Sequence, residues 1–268
     1  MTDNWDSYFC HVEGKPASIL VNLGAAAEAP LAAFPVLGYV SVSLLEPDGH
    51  GFPDDREYAT LGDLEDRLVH AVSGEGQGMY VGRCAVDGRF DCFFYLREAS
   101  GWGDQVARAM EAFPGYSFEA GAQEDPNWAS YRQFLFPAEN DLLVIQNRRA
   151  CRALEDAGND PGLSRIVAHW ARFSSSGAAE NFSLAVRGRG FSSGEPEYVS
   201  GAELDGEGSE DGSSSVFPPG FEAHPGAYRL CFSRPDAPLE LDEIVFSLAD
   251  LAREHGGHYE GWAVPLAE

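Results

Sequence analysis

The chain has 268 residues, 44% of them hydrophobic and 12% aromatic, which is enough apolar material for one large or two small folded domains. Its 43 acidic and 18 basic side chains give a formal net charge of −25. A field of this sign repels phosphate backbones and anionic membranes and favours basic partners. We therefore expect neither direct nucleic-acid binding nor membrane binding, although the same acidity also serves solubility alone.

The five cysteines are odd in number and show no Cys-x-x-Cys spacing. Several lie in apolar runs, such as the run that starts at Cys92, so we expect buried free thiols in a reducing compartment. The N-terminus lacks the basic and apolar regions of a signal peptide, and no apolar run approaches the length of a membrane span. These features predict a cytoplasmic protein.

The N-terminal half predicts the element order βββ-α-ββ-α-β. Alternating or short apolar runs mark its strands, at residues 8–12, 18–23, 39–44, 79–84, 90–96 and 116–122. The first helix follows Asp54, with Glu57 in capping-box spacing, and carries leucines at helical spacing. Because Asp87-Gly88 tolerates positive φ angles, it predicts a tight hairpin between two of the strands.

The C-terminal half alternates helices and strands. Helices are predicted over 141–157, around Phe182 and over 241–252, and strands at 166–173, 191–199, 228–233 and 258–264. Residues 201–226 are rich in glycine, serine and acids and lack an apolar period, so we expect a mobile loop that folding does not require. The predicted fold class is α+β, with two ferredoxin-like (split βαβ) sandwich domains at residues 1–137 and 138–268.

Three groups of residues in the N-terminal half resemble the bacterial domain of unknown function 695. They are Asn4-Trp5-Asp6-Ser7-Tyr8-Phe9, Tyr80-Val81-Gly82-Arg83 with its Asp-Gly hairpin, and Asp125-Pro126-Asn127-Trp128 leading to Tyr131 and Phe134-Leu135-Phe136-Pro137. The resemblance implies no known chemistry.

The C-terminal half resembles the regulator of ribonuclease E activity B, RraB. The residues that carry the resemblance are Asn147-Arg148-Arg149, His169-Trp170-Ala171-Arg172-Phe173, and the run from Asp250 through His255-Gly256-Gly257 to Tyr259-Glu260-Gly261-Trp262. This resemblance implies an acidic α/β protein that binds a ribonuclease and lowers its activity.

No residue pattern supports catalysis or metal binding. Cys10 and His11 are neighbours on a strand and so point to opposite faces. His255 and His258, with Glu260 nearby, match no structural zinc spacing, and a histidine at a helix C-terminus favours the helix dipole. The sequence contains no Gly-x-Ser-x-Gly elbow. We therefore predict no catalytic residue, no metal and no cofactor.

Two groups are open to either a binding or a structural interpretation. The basic cluster of Arg148, Arg149 and Arg152 either binds an anion or acidic partner or pairs with the acids around it, and we favour pairing. His169 and Trp170 point to opposite faces of one strand. We expect Trp170 in the core rather than as a platform for nucleic-acid bases, which would also need a positive groove.

We predict a non-catalytic protein-binding regulator, by resemblance a modulator or inhibitor of ribonuclease E-type RNA turnover. Its acidic surface would bind a basic, arginine-rich protein segment, and because such segments otherwise bind RNA, the protein and RNA would compete. The expected partner-binding residues are Asp242, Glu243, Asp250, Glu207, Glu210 and Asp211. The alternatives are an enzyme of unassigned chemistry with a site at the domain interface, and a self-associating scaffold.

Overall fold

A computed structural model describes residues 3–73, 76–200 and 226–264. The chain divides into two units, Met1–Asp141 and Leu142–Glu268. Each unit is an α+β structure built on one antiparallel sheet. The described residues do not include three of the residues expected to bind a partner, namely Glu207, Glu210 and Asp211. Of the predicted loop, they include only its last residue.

The first unit contains a six-stranded sheet with the strand order β1-β2-β4-β5-β3-β6. Its elements are β1 (Trp5–Val12), β2 (Lys15–Asn22), β3 (Val36–Ser43), α1 (Asp55–Ser73), β4 (Gly78–Val86), β5 (Arg89–Leu96), α2 (Trp102–Met110) and β6 (Phe118–Glu124). The predicted order of strands and helices in this half is confirmed.

Local chemistry explains where the first unit turns and where α1 begins. Asp87 and Gly88 have φ angles of 49° and 79° and join β4 to β5, which confirms the predicted hairpin. Asp54 caps α1 by accepting a hydrogen bond from the backbone N–H of Glu57 at 2.8 Å. The capping box also predicts that the Glu57 carboxylate accepts from the backbone N–H of Asp54, and this part of the prediction is wrong. The Glu57 carboxylate instead accepts from the backbone N–H of Leu45 at 2.7 Å and so fixes the β3–α1 loop.

The apolar stripe of α1 packs on one face of the six-stranded sheet. Leu61, Leu64 and Leu68 are almost fully buried against residues of the central strands and against Trp102 of α2. Helical spacing of these leucines predicted the buried face, and burial of each such side chain contributes about 1.5–3 kcal/mol.

The second unit contains a sheet with the order β11-β7-β10-β8, and β9 also pairs with β10. Its elements are α3 (Glu139–Asp156, which begins in the first unit), β7 (Arg165–Phe173), α4 (Ser176–Gly188), β8 (Ser192–Ser193), β9 (Glu197–Ser200), β10 (Gly226–Asp236), α5 (Asp242–Glu254) and β11 (Gly257–Ala263). Buried side chains of α4 and α5 form the core with one face of this sheet.

The single strand predicted over 191–199 is wrong in one respect, because it is two short strands. Ser193 pairs with Phe232 and Tyr198 with Tyr228, at separate places along β10. Gly194 and Pro196 lie between them, and proline has no N–H to donate to a ladder.

None of the helices in the described ranges is long and apolar enough to cross a membrane.

Candidate interaction surfaces

Strand β7 presents one face to the core of the second unit and the other away from it. His169 is fully buried with its alternate neighbours Val167 and Ala171, whereas Trp170 lies on the opposite face and is only partly buried. The prediction that Trp170 belongs to the core is therefore wrong. Alternation places His169 and Trp170 on different faces, but both faces carry apolar residues, so the pattern does not indicate which face the helices cover.

His169 is a neutral core residue. Its Nδ1 lies 2.8 Å from the hydroxyl of Tyr259, and its ring stacks on Phe232 at a centroid distance of 5.4 Å. Burial lowers the pKa of His169 to about 4, because the protonated form would have to lose its hydration. The side chain therefore contributes packing and a hydrogen bond rather than a titrating group near neutral pH.

On the other face of the same sheet, the carboxylate of Glu260 forms ion pairs with two guanidinium groups. We call Arg172, Arg229, Glu260 and Trp170 the sheet-face cluster. Glu260 lies 2.7 Å from Arg229 Nε and 3.7 Å from Arg172 Nε. The side chains of Arg172 and Glu260 are each only 12% exposed. The Arg229 guanidinium also lies 5.7 Å from the centroid of the Trp170 ring. Burial lowers the pKa of Arg172, with Glu260 acting against this effect.

The buried amide of Asn147 connects three segments of the second unit. It donates from Nδ2 to Asp242 Oδ1 at 2.7 Å, and it accepts at Oδ1 from the indole N–H of Trp262 at 2.7 Å. Asn147 lies on α3, Asp242 begins α5 and Trp262 lies on β11. Asp242, one of the expected partner contacts, therefore also has a structural role.

The outer side of α5 is mostly acidic. Glu243, Asp250 and Glu254 are exposed and recur at a spacing that places them on one side of the helix, opposite the buried stripe. Asp250 is 63% exposed and forms an ion pair with Arg253 at 2.7 Å. We call Glu243, Asp250 and Glu254, together with Asp242 at the start of the helix, the α5 acidic face. The structure brings together on this helix the three expected contacts that it describes.

The basic cluster predicted on a helix lies on α3. Arg148 and Arg149 are partly buried, and Arg152 is exposed. The choice between acid pairing and partner binding at this cluster stays a prediction.

The aromatic motif near the end of the first unit has a structural role. Asp125 accepts hydrogen bonds from the Tyr95 hydroxyl at 2.7 Å and from the backbone N–H groups of Ala129 and Ser130 at 2.7 and 2.9 Å. Trp128 stacks on Tyr95 at 3.9 Å between ring centroids and is fully buried. Burial alone would raise the pKa of Asp125, but these hydrogen bonds outweigh it, so the pKa is lowered.

A buried charged network lies between α1 and β4 of the first unit. Glu65 accepts from the Tyr80 hydroxyl at 2.7 Å and lies 2.8 Å from Arg83 Nε. Arg83 also donates to the Tyr58 hydroxyl. In the sequence, Tyr80 and Arg83 carry only the family resemblance. Their helix partners, 15 and 25 residues away, give no local signal.

The histidines considered as ligands do not meet in a metal site. His255 caps the C-terminal end of α5, and His258 lies on β11. Within the ranges that the structure describes, no group of three or more His, Cys, Asp or Glu side chains is arranged to hold a metal ion.

These features define a protein of two antiparallel α+β units. Residues 3–136 match the family of unknown function (DUF695), and residues 144–264 match regulator of ribonuclease activity B (RraB). The chain belongs to the DUF695 family through its N-terminal half and carries an RraB domain in its C-terminal half. Both resemblances stated from the sequence are confirmed.

Beyond these families, the chain is similar to a solved structure titled as an unknown protein from Galdieria sulphuraria. The two are 13% identical, with 85% of this chain and 98% of that chain covered and a TM-score of 0.23. No curated protein matches this chain.

Proposed function

We propose that the protein is a non-catalytic regulator that binds a ribonuclease through its RraB domain. The observation that carries this proposal is the family match over residues 144–264, because the family description names regulation of ribonuclease activity. The RraB domain thus indicates the class of partner. The contact surface and the partner segment are inferred from charge and geometry.

The α5 acidic face is the proposed contact surface. Its exposed carboxylates lie on a preformed helix, so less conformational entropy is lost on binding than for a loop. Of the three expected contacts on it, Glu243 and Asp250 are the better positioned, because Asp242 is already hydrogen-bonded to Asn147. Glu207, Glu210 and Asp211 are proposed as an auxiliary acidic patch.

The proposed partner segment is basic and arginine-rich. Guanidinium groups form paired hydrogen bonds with carboxylates as readily as with phosphates, so such a segment can exchange RNA for this surface. The net charge of −25 attracts the segment over a distance and repels RNA itself. Regulation would follow from competition, without any chemical step by this protein.

A charge-reversal experiment tests the contact surface. The variant Glu243→Lys, Asp250→Lys, Glu254→Lys is compared with Asp55→Lys, Asp63→Lys, Asp66→Lys, which makes the same charge change on exposed positions of α1. Binding to an arginine-rich segment of a ribonuclease E-type enzyme is measured by surface plasmon resonance at two ionic strengths. We expect the α5 variant to lose at least about tenfold in affinity, about 1.4 kcal/mol, and the α1 variant to lose much less.

Equal losses in both variants would assign the effect to net charge alone. Absence of binding to both the segment and the whole enzyme at low salt would contradict the proposal. Concentration-dependent self-association of the wild-type chain without such binding would favour a scaffold.

We also propose that each unit is a ferredoxin-like split βαβ sandwich, with domains at residues 1–137 and 138–268. The order β4-β5-β3-β6, with α1 after β3 and α2 after β5, supports this for the first unit, where the β1–β2 hairpin is an addition. The order β8-β10-β7-β11, with α4 after β7 and α5 after β10, supports it for the second.

A further inference from the structure

A polar groove lies between α1 and α2 in the DUF695 unit. It has a volume of about 580 Å³ and is open to solvent. The residues that give it its chemical character are Arg67, His70, Glu98, Ser100, Gln105 and Arg108. We call it the α1–α2 groove.

Helical spacing brings the groove residues together. Arg67 and His70 lie one turn apart on α1, and Trp102, Gln105 and Arg108 recur every three residues along α2. The two helices are joined at the groove by Gln105, whose side-chain amide donates to the backbone carbonyl of Ala71 at 2.6 Å. The groove walls are therefore fixed by the fold.

Among the described residues, the two arginine side chains of the groove form no ion pair with a carboxylate. Within the described part of the chain, the side chains of Arg67 and His70 form no hydrogen bond or ion pair, and Arg108 Nε donates to the backbone carbonyl of Asp104 at 3.1 Å. The lining includes two guanidinium groups and one carboxylate, Glu98. In a chain with 43 acids and 18 bases, this is a local reversal of the overall charge balance.

We propose that the α1–α2 groove binds a small phosphorylated ligand. Planar guanidinium groups are suited to phosphate oxygens, and a phosphate or pyrophosphate group carries several oxygens that can accept from more than one such donor. Ser100 and Gln105 supply neutral polar groups, and Glu98 can accept from a ligand hydroxyl. The volume of about 580 Å³ lies in the usual range for small-molecule sites.

The size of the ligand follows from the charge of the whole chain. A nucleic acid would place many phosphates outside the groove, where the field of a chain with net charge −25 repels them. A small ligand carries only the charges that Arg67 and Arg108 face. The site therefore differs in place and in ligand from the proposed ribonuclease contact on α5.

The test is a calorimetric titration of the full chain with inorganic pyrophosphate at low salt. We expect saturable binding with a Kd of about 1 mM or tighter. Arg67→Gln and Arg108→Gln should each weaken it at least about tenfold. The control is Arg56→Gln, which removes the same charge from an exposed position of α1 outside the groove lining and should change the Kd by less than about twofold.

Folding of each variant is checked by its thermal midpoint and circular dichroism, and Arg67 and Arg108 serve as independent tests because they lie on different helices. Saturable binding lost in both groove variants and retained in the control supports the proposal. No measurable binding by the wild type, or equal weakening in all three variants, would overturn it. The pyrophosphate titration contains no arginine-rich segment, so its failure is distinct from failure of the α5 contact.

Discussion

The side-chain amide of Asn147 donates a hydrogen bond to Asp242 at 2.7 Å, and so fixes the start of α5 against α3. The same amide accepts from the indole N–H of Trp262, so replacing Asn147 leaves the Asp242 carboxylate without its donor and the partly buried Trp262 N–H without its acceptor. We predict that Asn147→Ala lowers the free energy of unfolding by about 1–3 kcal/mol. Asn147→Asp should lower it further, because a second carboxylate would face Asp242.

Urea unfolding followed by tryptophan fluorescence measures this effect. Asn159→Ala is a suitable control, since among the described residues the Asn159 side chain bonds only the nearby Ala157 carbonyl and the Arg165 side chain. A loss at Asn147 no larger than in this control would show that the three-segment connection does not stabilise the unit.

The stability of the second unit should depend on the protonation of His169. The folded-state pKa of about 4 lies below the unfolded value of about 6.5, so between these pH values the unfolded chain binds a proton that the folded chain does not. The stabilisation is therefore complete above about pH 6.5 and is lost as the pH falls toward 4, by at most about 3 kcal/mol.

The double variant His169→Phe, Tyr259→Phe removes the titrating group and keeps an aromatic ring against Phe232. Relative to this variant, the wild type should lose stability as the pH is lowered from 7 to 4, as measured by unfolding at a series of pH values. His11→Gln, at an exposed position, is the control, and its free energy of unfolding should change with pH in the same way as that of the wild type. A constant difference between wild type and the double variant would contradict the prediction.

The parts of the fold that follow a local sequence pattern could be predicted from the sequence. The apolar stripe of α5 follows from helical spacing, and the Asp87-Gly88 hairpin follows from two adjacent residues that tolerate positive φ angles. The sequence did not allow us to predict which face of β7 points into the core. Alternation places His169 on one face and Trp170 on the other, and core residues include both histidine and tryptophan. The buried face of β7 is the one that α4 and α5 cover, and this depends on contacts between segments far apart in the sequence.

The candidate sites show the same division. The acidic side of α5 formed by Glu243, Asp250 and Glu254 follows from helical spacing, but the hydrogen bond that Asn147 donates to Asp242 joins residues 95 positions apart. The α1–α2 groove was missed because Arg67 and Arg108 lie on separate helices and neither belongs to a motif. These two arginines come together only because α1 packs beside α2, and the sequence does not indicate that packing.

The shared carboxylate of the sheet-face cluster should contribute more to stability than an exposed ion pair. In Glu260→Gln, the guanidinium groups of Arg172 and Arg229 lose their common counter-charge, and we expect a loss of about 1–3 kcal/mol. Asp250→Asn removes the exposed pair with Arg253 and should cost less than about 1 kcal/mol. Urea midpoints of the two variants, measured side by side, give the comparison. Equal losses would mean that solvent screens the cluster as fully as it screens the surface pair.

The kinetics of partner binding should distinguish long-range attraction from close contact at the α5 acidic face. Charges that act at a distance accelerate encounter, so reversal of Glu243, Asp250 and Glu254 should slow association more than it speeds dissociation. The association rate of the wild type with an arginine-rich segment should also fall steeply between low and physiological salt, since the Debye length is only about 8 Å at physiological ionic strength. In the reversal variant this salt dependence should be weaker, because fewer opposite charges are left to screen.

Surface plasmon resonance at several salt concentrations measures both rates. If the reversals change only the dissociation rate, the carboxylates act through direct contacts alone. If neither rate responds to salt or to the reversals, the acidity of α5 serves solubility and the ribonuclease contact lies elsewhere on the RraB domain.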